Sequence, residues 1–164
     1  MLLPKEAGVT REKATQSRVA LAGGVSMSLL PKVLVVDDEP DVRLYLRTLL
    51  VENGFQVREA GDADEAMEEL SRERPDVVIL DIMMPGKSGV TLFNKIRKRK
   101  DLKGIRVIVL SGVKERFVED FKGFFETLKL GKPDGFLDKP LEPKRLLSLL
   151  DQLLGSHQSV GGNP

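Results

Sequence analysis

Apolar runs of strand length alternate with helical patterns along most of this chain, and that alternation leaves few folds open. The runs are Lys32–Val36 (KVLVV), Phe55–Glu59 (FQVRE), Asp76–Leu80 (DVVIL), Ile105–Leu110 (IRVIVL) and Gly135–Leu137 (GFL). Helical patterns fall between them at Asp41–Glu52, Ala63–Arg74, Val90–Lys100 and Lys114–Lys129, and a last one follows at Pro143–Leu154. In the first, Val42, Leu46, Leu49 and Leu50 recur at helical steps and make one apolar face. Asn53-Gly54 is a pair that ends helices, and Asp62 and Ser88 are placed to cap the second and third. Five strands alternating with five helices predict an α/β doubly wound, flavodoxin-like fold with a parallel sheet in the order 2-1-3-4-5. The first, third and fourth strands are nearly continuous hydrophobic runs, as needed where helices cover both faces. The second alternates and is expected at an edge.

The pattern divides the 164 residues into three parts. Residues 1–30 read as a loose extension, 31–154 as one domain, and 155–164 as a flexible tail that holds His157. With 26 basic and 25 acidic residues the formal charge is +1, so no global field draws the chain to nucleic acid or to a membrane. There is no cysteine, which excludes disulfides, thiolate metal sites and thiol nucleophiles. No apolar run has the length of a membrane span, and a cytoplasmic setting is expected.

In an open parallel sheet, ligands bind beyond the carboxyl ends of the strands, where strand order reverses. KVLVV runs into Asp37-Asp38, DVVIL into Asp81, IRVIVL into Ser111, and GFL into Asp138-Lys139-Pro140. The predicted order brings these ends to one crevice. Asp37, Asp38 and Asp81 repel one another there, and Lys139 alone cannot offset them. A hard divalent cation with oxygen ligands can, and Mg²⁺ suits a few carboxylates together with water and phosphate oxygens. A carboxylate so placed can attack phosphorus and form an acyl phosphate, with lysine and serine contacting the phosphoryl oxygens.

Four segments, VLVVDDEP, VVILDIMMPGKSG, VIVLSG and FLDKP, stand in order, each at a strand end. Together they closely resemble the receiver domain of two-component response regulators, over Lys32 to Leu154. The resemblance implies Asp81 as phosphoacceptor, Asp37 and Asp38 as the acidic pair holding Mg²⁺, and the backbone carbonyl of Met83 as a further ligand. It implies Ser111 and Lys139 as partners of the phosphoryl group, and Phe136 as the aromatic whose rotamer follows the switch. It also implies a cis Lys139-Pro140 bond and a phosphohistidine donor, on a histidine kinase or phosphotransfer protein. The expected protein is a stand-alone phosphorylation switch with an unknown downstream protein partner, and not a dedicated enzyme.

Other features read more plainly. Glu39 is a solvated turn acid and is given no role. Lys95, Arg97, Lys98, Arg99 and Lys100 suit the negative end of the third helix, and Asp64, Glu65, Glu68 and Glu69 a solvated face of the second. The segment between Ser111 and Lys139 is long and holds Phe117, Phe121, Phe124 and Phe125. The alternative to a switch is a scaffold that binds its partner through this enlarged fourth helix whatever the state of Asp81.

Overall fold

A strand that is apolar on both faces is stable only between two covering layers. The computed structural model describes residues 29–85, 89–112 and 131–155, with positions 123, 126 and 129. In it, β1 (Lys32–Val36), β3 (Val77–Asp81) and β4 (Arg106–Ser111) form the centre of a parallel sheet. The edges are β2 (Gln56–Ala60) and β5 (Gly135–Asp138), giving the order β2-β1-β3-β4-β5. The described helices are α1 (Pro40–Glu52), α2 (Ala63–Arg72), α3 (Gly89–Lys98) and α4 (Pro143–Gly155). Most of the helix expected over 114–129, with its phenylalanines, lies outside the described residues, as do Ser88, His157 and the extension before residue 29.

Period-two alternation along the strands builds two cores. Leu34, Val36, Val78, Leu80, Val107 and Val109 face Ala66, Leu70, Leu92, Phe93 and Ile96 of α2 and α3. Val33, Val35, Val77, Ile79, Ile108 and Leu110 face Leu46 and Leu50 of α1 and Leu146 and Leu150 of α4. Each fully buried leucine contributes about 2 kcal/mol of transfer free energy. The apolar stripe expected on α1 forms, with Leu46 and Leu50 buried and Val42 and Leu49 packed beside them.

Local sequence places the helix ends. Pro40 stands in the first turn of α1, where its missing N–H is not needed. Gly54, at φ +81°, turns the chain toward β2 in a conformation that penalises a side chain. The Asp62 carboxylate accepts the Glu65 N–H at 2.8 Å and caps α2.

Three expectations need correction. First, β3 and β4 run one residue further than their apolar content suggests. Asp81 pairs with Leu110 and Ser111 with Asp138, because the ladder continues while backbone partners exist, whatever the side chain. Second, Arg97 is not a solvated cation at a helix end. It reaches Asp134 Oδ2 at 2.9 Å and the Ile105 carbonyl at 2.9 Å, with its guanidinium carbon 5.0 Å from the Phe93 ring centroid. Third, Glu69 on α2 is largely buried between Arg58 at 3.2 Å and Arg72 at 2.6 Å.

Candidate functional site

Register decides which strand-end residues meet. Val36 pairs with Leu80, Leu80 with Val109, and Val109 with Phe136, so these residues form one row across the sheet. One step further along lie Asp37, Asp81, Leu110 and Leu137, and beyond them Ser111 beside Asp138. The acids of β1 and β3 are therefore neighbours at the carboxyl edge. Lys139 arrives from β5, its N–H donating to the Ser111 carbonyl at 2.8 Å.

Asp37 is fully buried, Asp81 is 2% exposed, and Ser111 is 5% exposed. The Lys139 ammonium enters this cluster and donates to Asp37 Oδ2 at 2.8 Å and Asp81 Oδ2 at 3.4 Å. Glu39 Oε1 lies 3.6 Å from the same nitrogen. The other carboxylate oxygens are tied to backbone. Glu39 N–H donates to Asp37 Oδ1 at 2.9 Å, and Met83 N–H to Asp81 Oδ1 at 2.9 Å. Carboxylate oxygens of Asp37, Asp38 and Glu39 lie within 4.8 Å of one another. Asp81, expected in this cluster, is not among the acids so grouped, and Glu39 stands in its place; Lys139 bridges Asp81 to Asp37. Phe136 is half-buried against the core below, and the Lys139-Pro140 bond is cis.

Burial raises the Asp81 carboxyl above its ordinary value. The Asp37 charge adds to the rise, while the Met83 amide and Lys139 oppose it. Burial pulls the Lys139 ammonium down, but its bond to Asp37 and the charges of Asp81 and Asp37 more than offset this, so its value is raised. The lysine is a fixed cation, and Asp81 is a carboxylate kept basic in a water-poor site. Such a group is a competent nucleophile, provided that further positive charge screens the incoming anion.

Lys139 thus brings Asp37 and Asp81 together, Asp38 stands beside Asp37, and three further residues emerge with them. Glu39 is the solvated acid that its place in the turn suggests, 62% exposed, yet its carboxylate lies beside those of Asp37 and Asp38 and 3.6 Å from Lys139 Nζ. Arg43, on the first turns of α1, donates through Nη1 to the Asp37 carbonyl at 2.7 Å. Gly89 opens α3 where an added Cβ would lie 2.3 Å from the Asp81 carbonyl oxygen and 2.6 Å from Ile82 Cα, so only glycine lets the helix cross the end of β3. Its sequence signal is its place in the Pro-Gly-Lys-Ser-Gly run, a turn composition.

A doubly wound sheet with buried acids and a lysine at its carboxyl edge defines a class, and comparison with known proteins gives the same one. A family model described as the response regulator receiver domain matches residues 33–151. The chain belongs to this family, whose members are phosphorylation-dependent signalling switches of two-component systems rather than dedicated enzymes. It is 32% identical over 123 residues to the phosphate regulon transcriptional regulatory protein PhoB of Escherichia coli, covering 75% of this chain and 51% of that protein. It is 36% identical over 132 residues to a probable transcriptional regulator, ycf27, of Porphyridium aerugineum, covering 80% of this chain and 51% of that one. Among solved structures, the Vibrio cholerae chemotaxis protein CheY4 superposes with a TM-score of 0.65 at 28% identity, over 76% of this chain and 98% of that one. A response regulator receiver protein from Pseudomonas putida gives 0.66 at 32%, over 78% and 99%.

The chain spans about half the length of the curated relatives it matches. Those relatives are named transcriptional regulators, so the expectation that no nucleic acid is involved finds no support here. Among the described residues, no helix is long and apolar enough to cross a membrane.

Proposed function

We propose that Asp81 accepts a phosphoryl group from a phosphohistidine donor, with Mg²⁺ held by Asp37, Asp38, Asp81 and the Met83 carbonyl, and that Ser111 and Lys139 receive the phosphoryl oxygens. The observation that carries this reading is the position of the Lys139 ammonium between two buried carboxylates, Asp37 and Asp81. Hard oxygen ligands for such an ion are at hand: carboxylate oxygens of Asp37, Asp38 and Glu39 lie within 4.8 Å of one another, and Lys139 links Asp81 to Asp37. When bound, Mg²⁺ would neutralise phosphoryl oxygens that the acids otherwise repel.

This chain's part in the transfer is positional. A carboxylate oxygen of Asp81 attacks phosphorus in line with the donor's P–N bond. That bond breaks, its electron pair stays on the imidazole nitrogen, and an acyl phosphate remains on Asp81. The Met83 N–H holds the other Asp81 oxygen and so fixes which one attacks. Lys139 exchanges its bond to the Asp81 carboxylate for one to a phosphoryl oxygen, and Ser111 donates from the neighbouring strand end. The added charge then biases the chain at Ser111, and Phe136 repacks with it.

We read residues 31–154 as the folded unit and the cytoplasm as its setting. Intact mass after incubation with a small acyl phosphate tests the chemistry. An adduct of one phosphoryl group that needs Mg²⁺ and is absent from Asp81→Asn is expected. An equal adduct on both proteins contradicts the reading.

A further inference from the structure

We propose that Arg43 is a positioning residue for the metal-binding acids, clamping the Asp37–Asp38 peptide against the second strand. The inference rests on the Mg²⁺ site proposed above and names the device that keeps it in shape. Arg43 lies on α1 with its side chain 21% exposed. Nη1 donates to the Asp37 carbonyl at 2.7 Å, while Nε lies 3.8 Å from Glu59 Oε1 on β2. Gly61, just past β2, leaves the room this needs, since a Cβ there would come within 3.3 Å of Nη1.

The Asp37 carbonyl and the Asp38 N–H belong to one rigid peptide plane. Anchoring the oxygen fixes the direction in which Asp38 leaves the strand, and with it the reach of the Asp38 carboxylate. The other end of the loop is held as well, by the Arg43 N–H to the Glu39 carbonyl at 3.1 Å, the first bond of α1. One residue therefore closes the loop twice, through its backbone and through its side chain. A planar fork with several donors can serve the carbonyl and Glu59 together, whereas a lysine has a single point of charge.

Charge alone predicts the opposite effect on metal binding, and this makes the role testable. A guanidinium near a divalent cation repels it, so removing the guanidinium would tighten Mg²⁺ binding if Arg43 acted only through its charge. A positioning role predicts weaker binding, because the ligand loop loses its anchor. Arg47 is the control: it pairs with the same Glu59, at 3.3 Å, from one turn further along α1.

The test is Mg²⁺ affinity by titration calorimetry on the full chain, with circular dichroism as the check on folding. We expect Arg43→Ala to weaken Mg²⁺ binding about tenfold, as losses of outer-shell partners do. Arg43→Lys, which keeps the charge and the stem, loses affinity severalfold, and Arg47→Ala stays like wild type. If Arg43→Ala does not fold, the lysine variant decides by the same criterion. Unchanged or tighter binding in the Arg43 variants overturns the inference while leaving the site intact. Absence of Mg²⁺ binding by the wild type overturns the site and this inference together.

Discussion

The ammonium of Lys139 lies 2.8 Å from Oδ2 of Asp37, a residue 102 positions earlier in the chain. The two come from opposite sides of the sheet's centre, β5 and β1, and meet only because β3 and β4 end in register between them. This ion pair joins the acids of the site into one electrostatic unit, in which the buried carboxylates depend on the lysine.

Loss of the lysine exposes that dependence. Lys139→Ala leaves Asp37 and Asp81 buried without their cation, and about 2 kcal/mol of stability goes with it in EDTA. If Mg²⁺ binds these acids as proposed, adding it recovers most of the loss. Urea unfolding with EDTA and then with Mg²⁺ reads both effects.

Asp81 is held at a cost. Burial raises its folded value above the unfolded one, so the folded state binds the proton more readily. Stability therefore falls as pH rises from the ordinary aspartate value through the folded one, and at neutral pH the ionised carboxylate is destabilising. In EDTA at pH 7, Asp81→Asn raises the thermal midpoint by a few degrees, since the amide oxygen still accepts the Met83 N–H. The gain shrinks as the wild type is titrated into acid. A lower midpoint for the variant at pH 7 would be the opposite of this expectation.

Gly89 and Gly155 make a matched pair. A Cβ at Gly89 meets the Asp81 carbonyl at 2.3 Å, whereas one at Gly155 meets nothing within 4 Å among the described residues. Gly89→Ala costs about 2 kcal/mol or more, because backbone on both sides must shift. Gly155→Ala is neutral or slightly stabilising. Denaturant midpoints of the two variants make the comparison.

Asp134 pins the far end of β5. Its Oδ2 accepts the Val107 N–H at 2.8 Å and an Arg97 N–H at 2.9 Å, while Oδ1 lies 3.4 Å from Arg106. Asp134→Ala strands these donors and costs about 2 kcal/mol, read from chemical denaturation. Hydrogen exchange at Val107 N–H accelerates with it.

Much of this was legible in the residue pattern, for physical reasons. KVLVV and DVVIL are apolar on both faces because helices cover both, and that continuity gives away a parallel sheet. Asp81, Ser111 and Lys139 stand out because polar groups directly after such strands have few places to go. Register is less visible. Nothing in IRVIVLS says that Ser111 still belongs to the ladder, since pairing is a backbone property. Arg43 was hidden because a charged residue near the start of a helix looks solvated until the fold lays a carbonyl beside it, and Glu39, still mostly exposed, gains Lys139 as a neighbour only in the fold. Arg97 stands in a basic run, and only its distant partner Asp134 separates it from its neighbours.

Identifying the residue that bears the phosphoryl group is the most direct test of the central claim. Hydroxylamine attacks the carbonyl carbon of an acyl phosphate, releases phosphate and leaves a hydroxamate on the carboxyl that carried it. Treatment after exposure to a small acyl phosphate and Mg²⁺, followed by peptide mapping, should place the hydroxamate on Asp81 alone and show none in EDTA. A hydroxamate on Asp37 or Asp38, or none with Mg²⁺ present, would contradict the account.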